Sequence, residues 1–460
     1  MNRFIKVSKR MLFIGNFRPV KLQWAVLFCA LSVLPTACGD PEPQLGELGA
    51  VKGFRGVVAA DEPRAALAAF DVLSAGGTAS DAAAAAFFTM TVTYPVGAGL
   101  GGGGICIAYD AVSDKAESID FLPRPAANGG TMMVPGALRG VASLHARYGR
   151  LRWSQVVAPA ERAARFGHPI SRALKNRLET SKAVLDGDLM LKQLFLTDAG
   201  EVKNEGTRIV QIQLASVLGR IRSKGVSDFH GGKSGKLFVE DAAKLGGSVS
   251  IDDLRKFIPT WKATRTWEMG NEIVHGPSED TTGGVILAKM VDKYLTDGNF
   301  DATAQAEISA SAIAGERSKS SWGDAAVAVI DSAGNAVACQ FTTGVDMGTG
   351  RMLPSVGFVA TPADSFFDRV APMLAHNPNL DQGYFAGASS QGIAGMAALA
   401  PAAVRILNEG QTINQVIAAP SESAGRLQIV NCTKAPNRNP ESCDAGTDPR
   451  GFGLALGQPR

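Results

Sequence analysis

Apolar residues along this chain switch between two spacings. From Trp153 to Phe166 they recur at positions 156, 157, 160, 163, 164 and 166, which lines one face of a helix, and Gly167 follows as its stop. An Ala-rich helix is predicted from Glu62 to about Ala75, closed by Gly76-Gly77, and a second from Ser80, read as its N-cap, through Ala82 to Met90. Further helices are predicted from Val134-Pro135-Gly136-Ala137 to Tyr148-Gly149, over Ile209 to Lys224, Val239 to Leu245 and Ile251 to Phe257, from Val285 to Leu295 behind Thr281-Thr282, and over Gly395 to Leu407 and Ile413 to Ala419. Shorter apolar runs have strand length. These are Gly56 to Ala60, Ile105 to Asp110, and two runs spanning 325 to 341 joined by the turn-forming Asp331-Ser332-Ala333-Gly334-Asn335. Residues 296–323 are polar, rich in small side chains and weakly patterned, and read as a linker.

At 460 residues and 45% hydrophobic content, the chain is long enough to bury a full core as one large domain or two closely packed lobes. The net charge of +3 is small for this length, and no dense Lys/Arg run follows the first two dozen residues, so nothing predicts a nucleic-acid partner. A small molecule or a protein is the expected partner. The N-terminus pairs basic residues (Arg3, Lys6, Lys9, Arg10, Arg18, Lys21) with an apolar run from Trp24 to Leu34 and then Pro35-Thr36-Ala37-Cys38. Residues 1–38 therefore read as an export signal, with Cys38 in lipobox position for lipidation and attachment to a membrane; plain signal cleavage is the alternative, since Pro35 stands where a lipobox prefers Leu. Residues 39–55 form a Pro-rich polar tether. Of six cysteines, Cys29 leaves with the signal, Cys106 and Cys339 sit in apolar runs and read as buried small hydrophobes, and Cys432 and Cys443 flank a polar loop as the expected disulfide of an oxidising compartment. Five histidines stand singly and no Cys/His group has metal spacing, so neither metal nor cofactor is expected.

The glycines are distributed with purpose. Gly101-Gly102-Gly103-Gly104 runs directly into an apolar strand, which predicts backbone packed against backbone or ligand. Together with Leu73-Ser74-Ala75-Gly76-Gly77-Thr78-Ala79-Ser80-Asp81, Val134-Pro135-Gly136-Ala137, Tyr148-Gly149-Arg150-Leu151-Arg152-Trp153, Thr281-Thr282-Gly283-Gly284 and Asp331-Ser332-Ala333-Gly334-Asn335-Ala336-Val337, in that order, the chain resembles the gamma-glutamyltranspeptidase (glutathione hydrolase) family of N-terminal-nucleophile hydrolases. The resemblance covers nearly the whole mature chain. It implies an α+β fold, a four-layer αββα sandwich, in which a large-subunit-like part (56–295) and a small-subunit-like part (324–460) form one domain. It also implies a precursor that cuts itself before a Thr, whose hydroxyl then attacks a gamma-glutamyl amide with its own freed amine as base.

Ungapped register through Asp331 and Gly334-Asn335-Ala336-Val337 puts Asp324 at that Thr position, followed by Ala325 and Ala326. A carboxylate cannot perform the acyl shift, and its plain reading is a strand-start group capping local amides. Ser321 is a nearby hydroxyl, but using it requires a three-residue slip that turns each side chain to the opposite face. Thr342 falls on the family's second active-site Thr and also reads as a simple strand former, while Gly348-Thr349-Gly350 is retained. Gly344 stands where the family has a substrate-binding Asn. The resemblance places the family's ammonium-binding acids at Ala363, Ser365 and Phe366, with Asp364 the one carboxylate nearby, and its carboxylate-binding Arg at Leu122, with Arg124 two residues on. The paired-Ser segment is replaced around Met373 to Pro378, and the oxyanion glycines map onto Ser390-Gln391, ahead of Gly392. The expectation is an exported, unprocessed member of the family with a degenerate centre and a pocket for an amino acid or peptide-like ligand. The alternatives are an enzyme acting on glutathione-like compounds through a displaced hydroxyl, Ser321 or Thr342, and a pseudoenzyme paired with an intact paralogue.

Overall fold

The computed structural model describes residues 53–297, 322–365, 367–418 and 425–457. The leader with Cys38, most of the tether, most of the 296–323 linker with Ser321, and Phe366 lie outside the described residues.

Two antiparallel sheets form the centre. The first has seven strands in the order Leu454–Leu456, Gly56–Ala60, Trp322–Asp331, Ala336–Val345, Gly103–Asp110, Lys115–Asp120 and Thr260–Lys262. The second has six, in the order Cys443–Thr447, Arg426–Cys432, Gln382–Ser390, Met373–Asn377, Glu272–Gly276 and Arg265–Met269. Alternation along the Trp322–Asp331 strand sorts its side chains between layers. Ala325, Val327 and Val329 face outward, joining Phe87 and Phe88 of the Ala79–Thr93 helix in the largest apolar cluster. Ala328 and Ile330 face inward and meet Leu374, Ala386 and Val430 of the second sheet. Beyond the second sheet, Leu287 and Met290 of the Thr282–Asp297 helix and Leu399 and Ala403 of the Gly392–Leu407 helix pack on Val274, Phe385 and Ile429. These are the four layers of an αββα sandwich, as the resemblance implies.

The glycine run is structural. A Cβ on Gly102 would come within 2.2 Å of the carbonyl oxygen of Thr342, so no larger residue fits beside the neighbouring strand. Helix limits agree with the apolar pattern where that pattern is strong: Trp153–Phe166 matches fully. The helix expected to be capped by Ser80 begins at Ala79 instead, because Thr78, not Ser80, is the N-cap and forms a reciprocal capping box with Asp81.

Cys106 and Cys339 are not free hydrophobes. They are buried, but they sit directly opposite each other on adjacent antiparallel strands and are disulfide-bonded, with Cα atoms 4.1 Å apart. Cys432 and Cys443 bond across a hairpin, as expected from their loop.

Candidate functional site

The Trp322–Asp331 strand brings Asp324 to one end of the space between the sheets, opposite Thr342 on the neighbouring strand, just after a register shift between Gly323 and Asp324. Even-numbered side chains here face the second sheet, so the carboxyl meets the point where the Gln382–Ser390 strand gives way to the Gly392–Leu407 helix. Gln391 makes that turn in the left-handed region, φ 81°, and aims two consecutive amides back at the first sheet. Asp324 Oδ1 accepts the Gln391 N–H at 2.8 Å and Oδ2 accepts the Gly392 N–H at 2.8 Å. Gln340 donates Nε2 to Oδ2 at 3.2 Å, while its Oε1 accepts the Ala371 N–H at 2.9 Å. Asp324 is 2% exposed. The amides are unpaired donors of a first helical turn, so a carboxylate there is favoured by both hydrogen bonding and the helix dipole. Burial nonetheless pushes the Asp324 carboxyl up to about 6, against the opposing pull of Arg177 and the two amides.

A second carboxyl lies beneath it. Asp61, directly after the Gly56–Ala60 strand, accepts the Ala326 N–H at 2.7 Å, Gln428 Nε2 at 2.7 Å and the Ser390 hydroxyl at 3.2 Å. Burial raises it to about 7, with Asp324 adding to the rise and the Ala326 amide opposing it. Arg177, from the Arg172–Thr180 helix, is the cation of the group. It donates to Asp346 and to the carbonyl of Trp322, and at 3.4 Å to the Tyr94 hydroxyl. Asp346 also accepts from Ser181 at 2.9 Å.

Of the residues singled out from sequence, Asp324, Gln391 and Gly392 are in direct contact, Ser390 reaches the same cluster through Asp61, and Thr342 stands across the strand pair. Thr342 Oγ1 accepts the Gly344 N–H at 2.9 Å, a local backbone tie. Asp324 does cap amides, though not local ones. Arg124 is committed elsewhere: it donates to Thr260 at 3.1 Å and lies 4.8 Å from the centre of the Phe257 ring. Asp364 is exposed, and Leu122 is buried with Ile105 and Val370. Asp61, Arg177, Gln340, Asp346 and Gln428 were not anticipated. Asp61, Arg177 and Gln428 reach the site over long sequence separations and Gln340 across the adjoining hairpin strand, and the one local signal is an acid directly following a strand, as at Asp61 and Asp346.

The strand head faces a pair of amide donors suited to an oxyanion, but those donors already hold the chain's own carboxylate. Two stacked antiparallel sheets between helical layers, with a strand head aimed at paired amides, define the N-terminal-nucleophile hydrolase class. The chain belongs to the gamma-glutamyltranspeptidase family, whose model matches residues 65–313. That match stops short of Asp324. Glutathione hydrolase 3 of Arabidopsis thaliana is 30% identical over 263 residues, covering 53% of this chain and 41% of that protein. The glutathione hydrolase proenzyme of Bacillus subtilis is 30% identical over 266 residues, covering 52% of this chain and 44% of that protein. The aligned stretch thus spans under half the length of either relative. The solved structure of a cephalosporin acylase from Bacillus halodurans has the same fold, with a TM-score of 0.68 at 19% identity over 92% of this chain and 99% of that one.

Proposed function

We propose that this protein is an unprocessed member of the gamma-glutamyltranspeptidase family whose acyl-transfer centre is closed by its own side chain, and that it holds an amino-acid or peptide-like ligand without turning it over. The observation that carries this reading is the Asp324 carboxylate seated on the Gln391 and Gly392 amides at 2.8 Å each. A carboxylate supplies no alcohol for an acyl shift or an acyl adduct, and while it occupies the donors no oxyanion can. The ligand class follows from the glutathione hydrolases among the relatives, glutathione being a gamma-glutamyl peptide.

Export to a bacterial envelope is part of the proposal, with a lipid on Cys38 as the membrane attachment. The basic and apolar leader supports it, as do two cystines, which persist in oxidising compartments. Among the described residues no helix is long and apolar enough to cross a membrane.

The test is the mass of the mature protein, with reducing denaturing electrophoresis and an assay on a chromogenic gamma-glutamyl anilide. One uncut chain without turnover is expected. Two fragments parting near residues 321–324, or turnover that Ser321→Ala or Thr342→Ala abolishes, would overturn the proposal.

A further inference from the structure

Three carboxyls, Asp61, Asp324 and Asp346, are nearly or wholly sealed from solvent, with Arg177 spent on Asp346 and Arg426 a second guanidinium facing Asp61. Asp61 and Asp324 are left to share what remains, so a fully ionised cluster carries an excess of negative charge where charge is expensive.

The donor sets of these two carboxyls differ in kind. Two of the three donors on Asp324 are backbone N–H groups of a helix start, which cannot become acceptors. Neither amide can turn to accept a proton placed on this carboxyl. Two of the three donors on Asp61 can turn: the Ser390 hydroxyl offers lone pairs, and the Gln428 amide can present its oxygen instead of its nitrogen. Gln428 Oε1 is buried and finds no hydrogen-bond partner among the described residues, so turning the amide over breaks no bond of that oxygen and sets it against Asp61.

We propose that Asp61 is a proton-binding site: in near-neutral solution the folded chain carries one proton on this carboxyl, donated to Gln428 Oε1, and the neutral Asp61 is what keeps Asp324 seated as the ionised occupant of the amide pair. Other charged or titratable groups facing Asp61 are Arg177 from the Arg172–Thr180 helix, Tyr94 after the Ala79–Thr93 helix, Arg426 from the Arg426–Cys432 strand, and the adjacent Glu62, whose carboxyl turns to the Ala65 amide and Thr93 hydroxyl. The rise of Asp61 to about 7 agrees with the donor geometry.

A carboxyl raised in the folded state stabilises it when protonated, and that stabilisation is lost as pH climbs from the ordinary aspartate value of 3.8 through about 7. This inference deepens the reading of the Asp324 site and rests on it only in taking Asp324 as the anion at the donors. Its test reads protons, so turnover would overturn the proposed function without deciding this one.

The mature protein and Asp61→Asn are unfolded in urea between about pH 5 and about pH 8.5, and their unfolding constants are compared at each pH, which cancels the groups that do not interact with Asp61. The parent's constant relative to the variant's is expected to rise by about tenfold per pH unit up to about pH 7 and then level. Amide exchange at Gln391 and Gly392, corrected for intrinsic base catalysis, should accelerate above that pH in the parent and not in Asp61→Asn. A pH-independent ratio, or identical exchange in both proteins, would overturn the proposal. Should Asp61→Asn fail to fold, infrared spectra of the parent with 13C-labelled aspartate decide it: a protonated aspartic carboxyl band must vanish as pH passes about 7, and its absence below that pH rejects the idea.

Discussion

The Asp324 carboxylate accepts the backbone N–H of Gln391 at 2.8 Å across 67 residues of sequence. That contact, repeated one residue on at Gly392, turns the donor pair of a hydrolase fold into an internal tie between the two sheets. A charge-assisted bond of this kind is worth about 1.5–3 kcal/mol.

Asp324→Ala should leave both amides without their acceptor. Their hydrogen exchange, followed by mass spectrometry or NMR, is expected to accelerate by about 10- to 100-fold, the counterpart of one lost charge-assisted bond. Added formate should slow it again in the variant and have no effect on the parent. An unchanged exchange rate would show that the amides are held by something else.

Arg177→Met removes the guanidinium that Asp346 and the Trp322 carbonyl share. Breaking a buried pair strands the remaining charge, at a cost of about 3–5 kcal/mol. Urea unfolding near neutral pH measures it. Arg177→Lys should recover only part of the loss, because one ammonium cannot reproduce a planar fork.

Acid should destabilise the fold through its histidines. Burial lowers His168 and His230 to about 4 and His275 to about 3, with His376 lowered as well. His275 Nε2 and His376 Nδ1 hydrogen-bond at 2.8 Å, which requires at least one to be neutral. A histidine depressed in the folded state favours folding above the ordinary value of 6.5, and that advantage is lost as pH falls from there towards 4, by up to about 1.4 kcal/mol per pH unit for each. Asp61, Glu62, Asp71, Asp324 and Asp331, all raised by burial, act in the opposite sense over part of this range, so the histidine contribution is read as a difference between the parent and His168→Gln. Relative to His168→Gln, the parent's urea midpoint should therefore fall between about pH 6.5 and about pH 4.5.

Thr342→Val tests whether that hydroxyl does chemistry. Its visible task is to accept the Gly344 N–H, so the substitution should cost about 1 kcal/mol in urea unfolding and leave catalytic assays unchanged.

Much of this fold is readable from local pattern, and the exceptions share a cause. The Trp153–Phe166 helix and the paired strands from Trp322 to Val345 carry strong periodicity and clear stops. The Arg172–Thr180 helix does not: it buries only Ala173, Leu174, Arg177 and Leu178, and so hides the residue that balances the charge of the site. Asp324 could be flagged because a family register fixes its place. Asp61 could not, since its partners Ala326, Ser390 and Gln428 stand 265 to 367 residues away. The Cys106–Cys339 pairing needs strand register, which spacing alone does not supply.

That cystine has a bearing on how the protein responds to nicking. It joins a residue well before position 297 to one beyond 322, at a sequence separation of 233. A protease that severs the stretch between those positions would release nothing: both pieces would travel as a single molecule until a thiol reagent parts them.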